Sequence, residues 1–149
     1  MASDYMPPDS SGRKTALLLL INFALLGVLF AAWYYGALER IWLADQLKFS
    51  FVVIVIYLVI AFASIFSWIG DELVETVEAR LPMIALVGTT YGILTVFSVL
   101  AEAKFNGAAD FKSLIGPLLS GGGSAMWPTF LALVGSNLLW LHLLIKRGA

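Results

Sequence analysis

The chain has 149 residues, 60% of them hydrophobic and 13% charged, with a formal net charge of −1. A soluble domain carries about twice that charged fraction, so the mass belongs in a membrane, and the near-neutral charge removes any electrostatic case for nucleic acid. With no cysteine and one histidine, His142, there is no disulfide framework, no thiolate chemistry and no multi-histidine metal site within one chain.

Residues 1–14 are polar, with Pro7-Pro8 and Ser10-Ser11-Gly12, and read as a disordered cytoplasmic tail. Arg13-Lys14 then precedes an apolar run too long for a signal-peptide core, which predicts a retained first span. Asp, Glu, Lys and Arg are absent from 15–38, 49–70, 81–101 and 113–145, and even the shortest of these runs has 21 residues. A bilayer core needs roughly 20 helical residues. The expectation is therefore an all-α integral membrane protein. Residues 15–149 form a single four-helix transmembrane domain, with spans near 15–35, 50–69, 82–101 and 111–146.

The first span ends in Trp33, Tyr34 and Tyr35, an interfacial aromatic belt. Residues 36–49 mix Glu39, Arg40, Asp45 and Lys48 with Ile41, Trp42, Leu47 and Phe49, as a short amphipathic surface segment does. The second span is rich in Val and Ile, yet lipid favours a helix that satisfies its own backbone. In Asp71–Arg80, Leu73, Val74, Val77 and Leu81 share one helical face and the acids take the other; the stretch reads as a solvated helical extension or linker, and alternatively as a partner-docking surface. The third span starts at Pro82, a residue tolerated in a first turn. A polar loop, 102–110, leads to the last helix, with Asp110 as a candidate cap. That helix is longer than a bilayer is thick, so it tilts, protrudes or breaks at Pro117, Gly121-Gly122-Gly123 or Pro128. Lys and Arg, five inside against four outside, place both termini in the cytoplasm.

Tyr91, Thr95, Ser98 and Glu102 share one face of the third span, with Gly88 and Gly92 as a Gly-x-x-x-Gly pair on a neighbouring stripe. Ala125, Thr129, Ala132 and Ser136 follow a similar spacing on the last helix, beside Gly135. Such stripes either pack helices closely or line a narrow polar path. Thr129 can also bond back to its own helix. Asn22, alone on the first span, reads as a cross-helix hydrogen bond. Glu102 and His142 read as interfacial end groups, and alternatively as proton access and exit groups. No cluster of titratable or metal-binding residues accompanies the spans, so no enzymatic activity, cofactor or metal is expected.

Two segments carry a resemblance. Gly88-Thr89-Thr90-Tyr91-Gly92-Ile93-Leu94-Thr95-Val96-Phe97 is similar to the third-helix signature of the MotA/TolQ/ExbB proton-channel family. Gly121-Gly122-Gly123-Ser124-Ala125-Met126-Trp127-Pro128-Thr129-Phe130-Leu131-Ala132-Leu133 resembles that family's last helix. The likeness covers residues 81–146. It implies a homo-oligomeric ring of five in the bacterial inner membrane. The ring encloses two copies of a partner with one transmembrane helix bearing an Asp (MotB/TolR/ExbD-like) and turns ion flow into mechanical work. Thr89 and Thr129 match the family's pore-facing threonines, and Thr90, Tyr91, Thr95 and Ser136 join them as candidate pore-lining residues. Gly88, Gly92, Ala125 and Ala132 are candidates for helix packing. Two departures stand out. Ser124 replaces the Glu of the transport-type members, and the joint between the second and third spans lacks the family's large cytoplasmic region. Hydroxyls orient water but hold no proton at ordinary pH, so the carboxylate of a proton path comes from the partner. The competing readings are a small four-helix dimeric transporter, whose first helix should carry a Glu that is missing here, and a non-conducting membrane anchor or assembly protein.

Overall fold

The computed structural model describes residues 10–45, 47–102 and 108–148. They form five helices and no strand: α1 Ser10–Tyr34, α2 Ala37–Ala44, α3 Phe49–Ile65, α4 Asp71–Glu102 and α5 Ala108–Arg147. Helices α1, α4 and α5 each contain a segment long and apolar enough to cross a membrane. Helix α3 is apolar but has 17 residues, about 26 Å at the helical rise.

Helix α5 is the spine, and the other four helices all touch it. Helix α4 runs along it as the main partner, α3 leans on both, and α1 lies outermost. One apolar cluster joins Tyr57 and Ala61 of α3 to Val74 of α4 and to Leu139 and Leu143 of α5. A second joins Val53, Leu81, Ala85 and Ala132. Leu20, Phe23, Val28 and Phe30 of α1 remain exposed, as apolar side chains do when the surrounding medium is lipid.

The sequence misplaces several helix ends. Residues 10–14, assigned to the tail, are helical, and Lys14 Nζ donates to Lys146 O at 3.2 Å across the bundle. Residues 1–9 lie outside the described part. Helix α3 stops at Ile65 rather than Ile69. Ser67 takes a left-handed φ of 57°, Ser67 N–H returns to Ser64 O at 3.1 Å, and Trp68 N–H returns to Ala63 O at 2.9 Å. This double return is the Schellman closure. Residues 37–44 form the short helix α2 with Ile41 turned inward and Trp42 and Leu43 outward. Asp110 lies in the first turn of α5 rather than ahead of it. Residues 103–107 of the expected polar loop fall outside the described part. Helix α5 does not break at Pro117, the glycine run or Pro128. Its 40 residues span about 60 Å, twice a bilayer core of about 30 Å.

The charged stretch 71–80 is a helical extension rather than a linker: it and the third span make one helix, and Pro82 sits in the interior rather than in a first turn. Glu72 takes the solvated face, but the other three acids turn toward α5. Asp71 Oδ1 accepts from Lys146 Nζ at 2.6 Å, Glu75 pairs with Arg147, and Glu78 meets Ser136. They share the α5-facing side of α4 with buried Val74 and Leu81, while Leu73 points away. The basic end of α5 supplies the counter-charges, which a reading of 71–80 alone leaves out.

Pro82 lacks an N–H, so the carbonyl one turn earlier, Glu78 O, loses its helical donor. Ser136 Oγ of α5 donates to that carbonyl at 3.0 Å and lies 3.2 Å from Glu78 Oε1. The hydroxyl from α5 replaces the hydrogen bond that proline removes from α4. Ser136→Ala should therefore cost about 1–3 kcal/mol, the penalty of a buried acceptor left unpaired. In a Pro82→Ala background, where the backbone donor returns, that cost should largely vanish. Thermal unfolding of the four proteins of this cycle in detergent checks it.

Candidate functional site at the α4–α5 crossing

The two long helices approach most closely where both carry glycine. A Cβ built on Gly92 would lie 2.7 Å from Gly121 O and 2.8 Å from Ala125 Cα, so only hydrogen fits between the backbones. One turn away, a Cβ on Gly88 would lie 3.1 Å from Pro128 Cγ and 3.0 Å from Phe49 Cβ at the start of α3. Small residues four apart on both helices produce this contact, the geometry that small-x-x-x-small stripes permit.

The close approach brings two hydroxyls together. Thr89 Oγ1 hydrogen-bonds to Thr129 Oγ1, lies 2.9 Å from Ala125 O and 3.3 Å from Ala85 O, and is half-buried, as is Thr129. Each hydroxyl has one proton. Thr89 donates to a backbone carbonyl and accepts from Thr129 in the arrangement that uses both protons. Pro128 opens the α5 ladder at this point, because it withholds a donor from the carbonyl four residues back. The next carbonyl along, Ala125 O, receives the hydroxyl from α4.

The other candidate residues lie elsewhere. Thr90 and Thr95 turn to the exposed side of α4 and bond back to Leu86 O at 2.9 Å and Tyr91 O at 3.0 Å, the local hydrogen bonding open to any helical threonine. Ser98 donates to Thr95 O at 2.9 Å, and Tyr91 is exposed. Ala132 is buried in the second apolar cluster, and Ser136 belongs to the Pro82 contact. Glu102 ends α4, and its side chain lies outside the described part.

His142 is covered by its own chain rather than open to the surroundings. It is 3% exposed, its Nε2 has no partner among the described residues, and it shares a small cleft with Asn22 and Tyr57. Helix α5 continues past it by more than a turn, and α1 and α3 close over it. In the same cleft Tyr57 Oη donates to Asn22 Oδ1 at 3.1 Å, and Asn22 Nδ2 donates to Leu18 O at 2.8 Å. Asn22 thus makes the cross-helix bond expected of it.

The sequence reading passed over Asp45, which is 0% exposed. Its Oδ2 accepts from Ser50 N–H at 2.6 Å, in the first turn of α3. The available signal was an acid shortly ahead of an apolar helix, the position of a cap. The turn that holds it is pressed onto the crossing. A Cβ on Gly123 would lie 2.7 Å from Ala44 Cβ, and Phe49 packs on Gly88. Among the described residues no group of three or more His, Cys, Asp or Glu could hold a metal ion.

Comparison with protein-family models, with curated proteins and with solved structures finds no match to this chain.

The crossing makes a steric prediction. Gly92→Ala places a methyl against backbone that has no flexible end to yield, and should cost about 1–3 kcal/mol or more. Gly122→Ala meets nothing within 4 Å and should be neutral or stabilising by up to about 1 kcal/mol, since glycine weakens a helix. Unfolding midpoints in detergent distinguish the two.

Proposed function

We propose that the chain is one subunit of an ion-driven membrane complex. Four membrane helices, α1, α3, α4 and α5, build each subunit, and five copies form a ring around two copies of a partner, each with a single transmembrane helix carrying an Asp. Ion flow, of protons in the family this chain resembles, drives mechanical work elsewhere. The complex resides in the bacterial inner membrane with both termini cytoplasmic.

The observation that carries this reading is the Thr89–Thr129 pair. Two threonines 40 residues apart, on two different helices, place their hydroxyls at one point between stripes of small residues, and the pair stays half-exposed. A hydroxyl pair of this kind can orient water and hydrogen-bond a carboxylate brought by another chain. Helix α3, at about 26 Å, needs only slight thinning of the bilayer to span it.

The same geometry supports a second reading. Thr89 finds its acceptors within its own chain, which suits a hydroxyl that only packs helices in a membrane anchor or assembly protein.

Native mass spectrometry of the detergent-solubilised protein should show five copies, with two partner helices inside when the partner is co-expressed. A stable monomer under both conditions sinks the ring. With the ring intact, Thr89→Val with Thr129→Val should lower ion flux in liposomes about tenfold or more, near 1.4 kcal/mol in barrier terms. Unchanged flux would favour the packing role.

A further inference from the structure

Among the described residues, three buried side-chain atoms have no hydrogen-bond partner: Asp45 Oδ1, Ser50 Oγ and His142 Nε2. The first two belong to one place, because Ser50 N–H already holds the other oxygen of Asp45. Both residues are 0% exposed. A carboxylate taken from water is costly unless a cation and a full set of hydrogen bonds accompany it. Here one N–H serves one oxygen. The basic side chains beside it in sequence do not help. Lys48 Nζ turns to Trp42 O and lies 4.4 Å from the centroid of the Trp42 ring, and Arg40 is exposed. The ion pairs among the described residues join Lys146 to Asp71 and Arg147 to Glu75, and none involves Asp45.

What this site lacks is one positive charge with an affinity for oxygen. A carboxylate oxygen and a hydroxyl oxygen are hard ligands. One negative charge balances a single positive one, whereas a divalent ion would leave a positive charge uncompensated in a buried place. We propose that Asp45 Oδ1 and Ser50 Oγ bind a small monovalent metal cation of the sodium type at the α2–α3 turn. Ala44 and Phe49 flank that turn and press on Gly123 and Gly88, so the bound cation lies beside the Thr89–Thr129 crossing. Each subunit then carries an ion site of its own, in addition to any acid from a partner. That last step rests on the ring reading; the binding does not.

The test uses the purified chain in detergent without a partner, with sodium chloride against choline chloride at equal ionic strength. Sodium should raise the unfolding midpoint in a saturating manner, by about 5–10 °C when it reaches roughly a hundred times its Kd. Asp45→Asn should abolish the shift and Ser50→Ala should reduce it. Glu39→Gln, which removes an exposed acid on α2, should leave it whole. A wild-type midpoint indifferent to sodium overturns the proposal, and so does an Asp45→Asn protein that keeps the shift. Should Asp45→Asn fail to fold, the wild-type comparison and Ser50→Ala still decide. A missing shift leaves the ring untouched, and a monomeric chain leaves the shift readable.

Discussion

Everything in this molecule depends on how closely the backbones of α4 and α5 approach at Gly92, Gly121 and Ala125. Helices in lipid gain little from hiding apolar surface, because the tails outside are as apolar as the neighbours inside. Dispersion and polar contacts must hold them, and both fall off steeply with distance. Removing the Cβ at Gly92 sets the separation. At that separation the threonine hydroxyls of the two helices reach each other, and Ser136 reaches the carbonyl freed by Pro82. The wider stack follows from the same contact, since α3 starts on Gly88 and the α2 end rests on Gly123.

A second constraint is the accounting of backbone donors where no water can help. Helix α4 has an interior proline, and α5 has two. Each removes a donor. At two of these points a hydroxyl from the facing helix sits on or next to the affected carbonyl, Ser136 at Glu78 and Thr89 at Ala125. The polar residues on the packed face therefore serve as hydrogen-bond donors between helices before any transport role is considered. The same accounting makes Asp45 and Ser50 stand out, because there it does not balance.

The sequence made the membrane character and the long helices legible, since four charge-free runs leave little alternative. It made the small-residue stripes legible too: Gly88 and Gly92 stand at helical spacing, and that spacing survives in the structure. It left open whether 71–80 extends the span as a helix or links it, and it did not reveal that three of its acids face α5. Charge density there reads as solvated, and the charges that answer it, Lys146 and Arg147, lie more than sixty residues away. Nor did it separate Thr89 from Thr90. Adjacent residues differ by about 100° around a helix, and only the position of α5 decides which of the two meets a partner. The burial of His142 was hidden for a related reason: its place near the end of α5 does not reveal that α1 and α3 close over it. Asp45 was hidden because a polar turn is normally wet, and this one is pressed under α4 and α5.

The joint between α3 and α4 has its own consequence. Lys146 Nζ lies 2.6 Å from Asp71 Oδ1, just after the joint, and 3.2 Å from Ser64 Oγ, just before it. One ammonium from the far end of the chain thus staples both sides of a five-residue turn, 66–70. Extra residues inserted there would have to loop outward without parting Ser64 from Asp71. For anyone engineering this protein, that turn is a poor place for a tag or a grafted domain, although it looks from the outside like an ordinary surface loop.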